Sequence, residues 1–76
     1  MQNDIAAKIK AVLEPLVGEV LAEVSLELEA KRIGRSPGTL TSDDLPQFAA
    51  NLETQLRLVV GPVVARRAAN RVAEID

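Results

Sequence analysis

The chain contains no cysteine and no histidine, and Phe48 is its one aromatic residue. The absence of cysteine excludes a disulfide staple. Without histidine, zinc or haem ligation would rest on carboxylates alone, so no metal and no cofactor is expected. A single aromatic provides neither a platform for stacking nucleobases nor the apolar wall that separates the pKa values of two catalytic carboxylates. Catalysis is therefore not expected. No apolar run reaches the roughly 20 residues needed to cross a bilayer, because Lys8, Lys10, Glu14, Glu19 and Glu23 punctuate the N-terminal half. The opening MQNDIAAKIK also lacks the apolar stretch and cleavage site of a signal peptide. A cytoplasmic protein is the expectation. The net charge of −2 gives no global reason to expect nucleic acid or an anionic membrane as partner.

What remains is an aliphatic chain of 76 residues, 47% apolar. Leu, Val, Ile and Ala are the materials of packed helices. A single domain of this size rarely draws more than roughly 3–5 kcal/mol from its own core. With disulfides and metals excluded, oligomerisation is the remaining means of support, and a homodimer is expected.

Residues 5–22 (IAAKIKAVLEPLVGEVLA) and residues 48–65 (FAANLETQLRLVVGPVVA) read as two copies of one module, 43 positions apart. Seven of the 18 aligned positions are identical, and Ile5/Phe48, Ile9/Leu52, Leu16/Val59 and Leu21/Val64 exchange one apolar residue for another. Such a repeat predicts two helix–turn–helix units around a shared core. The expected fold is all-α: four short helices forming a small bundle completed by dimerisation. Residues 1–76 make one domain, with units 4–32 and 41–76 joined by a linker at 33–40.

Asn3 or Asp4 can cap the first helix, whose apolar stripe is Ile5, Ile9, Val12, Leu13 and Leu16. Pro15 removes the backbone bond to Ala11 and should kink or end the helix nearby. Gly61 suits the left-handed position beyond a helix end and Pro62 the first position of the next helix; Gly18 takes the same part in the first copy. The second helix covers about residues 19–32. Its Val24, Leu26, Leu28 and Ala30 alternate with polar residues as a strand would, but its Glu, Leu, Ala and Lys favour helix. Gly34, Pro37 and Gly38 break structure in the linker. Thr41 with Asp44, or Ser42 with Asp43, can cap the third helix, and Pro46 fits its first turn. Leu45, Phe48, Ala49, Leu52, Leu56 and Val59 form its stripe. A fourth helix from Pro62 towards Ile75 would turn Val63, Val64, Ala68, Val72 and Ile75 inward.

Three features could carry function. The second helix has two apolar stripes: Val20, Leu21, Val24 and Leu28 on one side, and Ala22, Leu26, Ala30 and Ile33 on the other. Two stripes imply two neighbours, or one neighbour in another chain. The Ala22, Leu26, Ala30 and Ile33 stripe is the expected dimer surface, with rim charges Glu23, Glu27 and Arg66. Second, the unlike halves of the copies set Glu23, Val24 and Leu28 against Arg66, Arg67 and Arg71. These charged faces are either solvated, with a few weak internal ion pairs, or meet across a dimer and fix its register. Third, Arg66, Arg67 and Arg71 lie roughly on one side of a helix and could engage phosphates. They lack the glycine loops, basic tails or aromatics of the usual nucleic-acid footprint. The acidic set Asp43, Asp44, Glu23, Glu27 and Glu29 is not counted among these features. No aromatic wall, His, Cys or Tyr suggests a catalytic pocket, calcium-loop spacing is missing, and Asp43 and Asp44 are explained as helix caps. An apolar ligand held inside the bundle is a further possibility.

The stretch Leu58-Val59-Val60-Gly61-Pro62-Val63-Val64-Ala65-Arg66-Arg67-Ala68 resembles a short helical element in accessory domains of bacterial signalling proteins, which accompany kinases, cyclases and response regulators. Leu40-Thr41-Ser42-Asp43-Asp44-Leu45-Pro46, leading into Phe48 and Leu52, is similar to the helix start of small bacterial helical domains. The likeness rests on apolar and capping positions and brings no functional residue with it. It implies a bacterial protein–protein interaction module. The resulting expectation is a non-enzymatic adaptor or regulatory subunit that self-associates through its second helix; the alternative is a nucleic-acid-associated protein using Arg66, Arg67 and Arg71.

Overall fold

The computed structural model describes residues 5–75. Within them the chain is all-helical: α1 (Ile5–Val17), α2 (Glu19–Arg32), two short 3-10 turns (Pro37–Thr39 and Ser42–Asp44) and α3 (Leu45–Ala73). The alternating segment is helix throughout, since strong helix formers outweigh a short period-two pattern. The cap expected from Asn3 or Asp4 lies outside the described residues.

Pro15 sits inside α1 without ending it. Its ring deletes one backbone bond, but α1 continues until the Gly18 N–H donates to the Glu14 carbonyl at 2.9 Å. Gly18 then turns the chain in one residue (φ 90, ψ 164), and its own carbonyl accepts the first bond of α2 from the Ala22 N–H at 3.0 Å. This is positive φ with an extended ψ, a region essentially reserved for glycine, rather than the left-handed helical cap expected from the sequence.

Three helices form where four were expected. The supposed third and fourth are the two arms of α3, because only Gly61 (φ 84, ψ 168) departs from helical geometry between Leu45 and Ala73. The break is nevertheless sharp. In a straight helix Glu53 and Arg66 would lie about 20 Å apart along the axis, yet Arg66 Nε is 3.6 Å from Glu53 Oε2. Gly61 therefore folds the second arm (residues 62–73) back towards the first (residues 45–60).

The core is aliphatic around Phe48. Ile9 and Leu13 of α1, Ala22, Leu26 and Ala30 of α2, and Leu45, Phe48, Leu52, Leu56, Ala65, Ala68 and Val72 of α3 are all buried. Each large member contributes about 1.5–3 kcal/mol by leaving water. Two stripe members expected inward are not there: Val59 and Val63 are exposed, and Ala65 and Ala69 face the core instead. Small residues on the inner side let the second arm close tightly.

The linker is held at both ends. Leu40 is fully buried. It and Leu45, also buried, occupy the two positions that a hydrophobic staple joins across a helix start. Between them the Thr41 N–H donates to Asp44 Oδ2 at 3.0 Å, the reciprocal cap expected from the sequence. Arg35 Nε reaches the same oxygen at 3.1 Å and ties the linker across. A second such box, in which the Ser36 N–H donates to Thr39 Oγ1 at 2.9 Å, shapes the turn before it. The radius of gyration, 10.9 Å, matches the roughly 11 Å expected of a closed globule this long.

An alanine Cβ at Gly18 or Gly61 would meet no atom within 4 Å, so any cost of substitution there is backbone strain. Gly18→Ala and Gly61→Ala should each lower the unfolding free energy by about 1–3 kcal/mol in urea titrations. Gly38→Ala, at ordinary φ and in equally open space, should be neutral or slightly stabilising.

Candidate functional site

Helix α2 carries apolar residues on both sides, and packing decides which side is which. Ala22, Ser25, Leu26, Glu29 and Ala30 face inward and are buried. Val20, Val24 and Leu28, one helical turn apart, are 77%, 51% and 42% exposed. The stripe expected to form a dimer surface instead faces inward: Ala22, Leu26 and Ala30 belong to the chain's own core, and Ile33 packs against it, half-buried. The physical reason is size. Ala22 and Ala30 let α2 approach α1 and α3 closely, which Val20 and Val24 on that side would prevent.

The outward face combines Val20, Val24 and Leu28 with the exposed charges Glu23, Glu27 and Lys31. A shallow groove runs between Val24, Glu27, Leu28 and Lys31. Glu23 is committed to Lys10 on α1, Oε1 to Nζ 3.5 Å. On α3, Arg66 leans to Glu53, while Arg67 and Arg71 are exposed with no ion pair among the described residues. Pro62, Val63 and Arg66 line a second shallow groove with Glu53 and Arg57. Glu23 and Arg66 do not meet within the chain; each has a partner of its own, so the charged faces carry internal ion pairs.

The inner side of α2 is chemically odd. Glu29 is fully buried, and neither of its carboxylate oxygens has a hydrogen-bond partner among the described residues. Ser25 Oγ, one turn earlier, and Gln55 Oε1 on α3 are likewise buried without partners. Arg32 Nε approaches Glu29 Oε1 to 3.1 Å, but its side chain is mostly exposed. Burial raises the Glu29 carboxyl above its ordinary value, with the Arg32 charge pulling it back. Asp44 is shifted the other way, downward, chiefly by the Thr41 N–H it accepts, with Arg35 assisting. Nothing in the sequence sets the burial of Glu29 apart from its acidic neighbours, since a glutamate is by default assigned to the surface. The outward stripe could have been found by asking which side of α2 has side chains small enough for close packing.

No helix among the described residues is long and apolar enough to cross a membrane. None of their acidic side chains gather in the groups of three or more that could hold a metal ion. Compared with protein families, with curated proteins and with solved structures, the chain matches none.

Glu29 makes a pH prediction. A carboxyl whose folded pKa lies above its unfolded value contributes stability that is present below the unfolded pKa of about 4.5 and lost as pH rises through the folded one. Asp44 works oppositely, losing its contribution as pH falls. Glu29→Gln should therefore raise the melting temperature at pH 7 and remove the loss between acid and neutral pH, while Asp44→Asn should lower it at pH 7. Thermal melts from pH 3 to 8 measure both. A Glu29→Gln profile parallel to wild type would mean that the buried carboxyl stays ionised without penalty.

Proposed function

We propose that this chain is a non-enzymatic protein–protein interaction module, an adaptor or regulatory subunit, that self-associates through the outward face of α2. One observation carries the reading. The fold buries Ala22, Ser25, Leu26, Glu29 and Ala30 on the inner side of α2 and leaves three further aliphatics, Val20, Val24 and Leu28, in water. An apolar stripe of that kind, rimmed by charges, is how docking surfaces are built. A homodimer is the simplest assembly that covers it, and a domain this small gains stability from such cover.

The same reading takes the chain as two repeated helix–turn–helix units, one made by α1 and α2 and the other by the arms of α3. Gly18 and Gly61, 43 positions apart, share one unusual backbone conformation. Lys10–Glu23 and Glu53–Arg66 are ion pairs at matching positions, 3.5 and 3.6 Å long. The likeness of residues 58–68 to helical accessory elements of bacterial signalling proteins fits an adaptor role. Nucleic-acid binding through Arg66, Arg67 and Arg71 is less favoured, because Arg66 is engaged by Glu53.

Sedimentation equilibrium from micromolar to millimolar concentration tests the reading. Wild type should shift from monomer towards dimer, and Val24→Glu should remain monomeric with its melting temperature unchanged within the range of a surface substitution, about 0.5 kcal/mol. Leu26→Glu should instead lose the folded monomer, since truncating a buried leucine already costs about 2–5 kcal/mol. A wild-type chain that stays monomeric throughout would end the proposal.

A further inference from the structure

The two copies differ in a patterned way. Aligned at a spacing of 43, they are both charged at Lys10/Glu53, Glu14/Arg57, Glu23/Arg66 and Lys31/Glu74. In every one of these pairs the sign is reversed. Two of the four reversals preserve an ion pair inside each copy, since Lys10–Glu23 becomes Glu53–Arg66. Keeping that pair requires only that both of its members change sign together. It gives no reason for Lys31 to become Glu74, or for the uncharged Val24 and Leu28 to become Arg67 and Arg71. Those three positions in each copy are exposed on the outward face of the second helical segment.

Two outward faces therefore stand at equivalent places in the repeat. On α2 the face is Val20, Val24 and Leu28 with Glu23, Glu27 and Lys31; on the second arm of α3 it is Val63 with Arg66, Arg67, Arg71 and Glu74. Val20 and Val63 are identical, aligned and exposed, at 77% and 70%. Along α2 the charges run negative, negative, positive (Glu23, Glu27, Lys31); along the arm three positives (Arg66, Arg67, Arg71) are followed by one negative (Glu74). Glu27, Arg67 and Arg71 form no ion pair among the described residues.

We propose that the outward face of α2 in one copy docks on the outward face of the second α3 arm in another copy, the two helices running parallel. Val20, Val24 and Leu28 cover Val63 and the aliphatic stems of Arg67 and Arg71, which can lie along apolar surface while their guanidinium groups stay at the rim. Glu23 and Glu27 face the arginines, and Lys31 faces Glu74. The parallel direction follows from the order of signs, because the antiparallel one would bring Lys31 against Arg66 and Arg67. A parallel contact between two copies of α2 would instead set Glu23 and Glu27 against their own kind, and an antiparallel one would pair Glu23 with Lys31 but set Glu27 against Glu27 and leave Arg67 and Arg71 unmatched. This inference rests on the self-association reading and specifies what the α2 face binds.

Charge reversal in two variants tests it. One carries Glu23→Arg and Glu27→Arg, the other Arg67→Glu and Arg71→Glu, all at exposed positions. Each alone presents like charges to itself and should self-associate at least about tenfold more weakly than wild type at low salt. Mixed in equal amounts, they present opposite charges in both directions, and sedimentation equilibrium should show association restored towards the wild-type level. Added salt should weaken both the mixture and the wild type. Circular dichroism melts confirm folding; if either double variant is destabilised, Glu27→Arg and Arg71→Glu, which disturb no internal ion pair, replace them. Normal association of the arginine-reversed variant alone would overturn the pairing while leaving self-association standing, as would a mixture no stronger than its parts. A monomeric wild type would overturn both.

Discussion

Two glycines set the geometry on which the rest of the structure depends. Gly18 and Gly61 hold a backbone conformation that any side chain would strain, and each reverses the direction of a helix within one residue. No loop intervenes, so the segments on either side meet immediately and must present compatible surfaces close to the corner. Lys10 can then reach Glu23 and Glu53 can reach Arg66. The alanines that follow each glycine, Ala22 and Ala65, are fully buried at equivalent places. A wider turn would allow larger residues there and lose the close packing.

Close packing in turn explains the division of α2. The inner side buries Ala22, Leu26 and Ala30 together with two polar residues, Ser25 and Glu29, while Val20, Val24 and Leu28 stay at the surface. By burial alone this is a poor bargain: Val20, Val24 and Leu28 forgo stabilisation, and Glu29 loses hydration without gaining a good hydrogen bond. The raised pKa of Glu29 follows from the same packing and makes the inner side of α2 the part of the core most responsive to pH.

The linker shows a different economy. Its glycines and prolines suggest a loose connection, yet buried Leu40, the Thr41 and Asp44 cap and the Arg35 ion pair fix it against the helices. The two halves of the chain are thereby joined at a defined angle.

Much of this was legible in the residues. Helix as the sole regular structure, the stripes through Ile9 and Leu13 and through Phe48, Leu52 and Leu56, the corners at Gly18 and Gly61, and the Thr41 and Asp44 cap all follow from local spacing and backbone chemistry. Local signals suffice because each depends on residues within a turn or two. The sequence alone could not say which stripe of α2 faces inward, because both are apolar at helical spacing. It could not place Glu29 inside, count the arms of α3 as one element, or find Leu40 in the core. Those outcomes depend on how closely helices distant in sequence approach one another. Only the assembled tertiary structure sets that distance, and it took Ala22, Leu26, Glu29 and Ala30 into the interior and left Val20, Val24 and Leu28 to face outward.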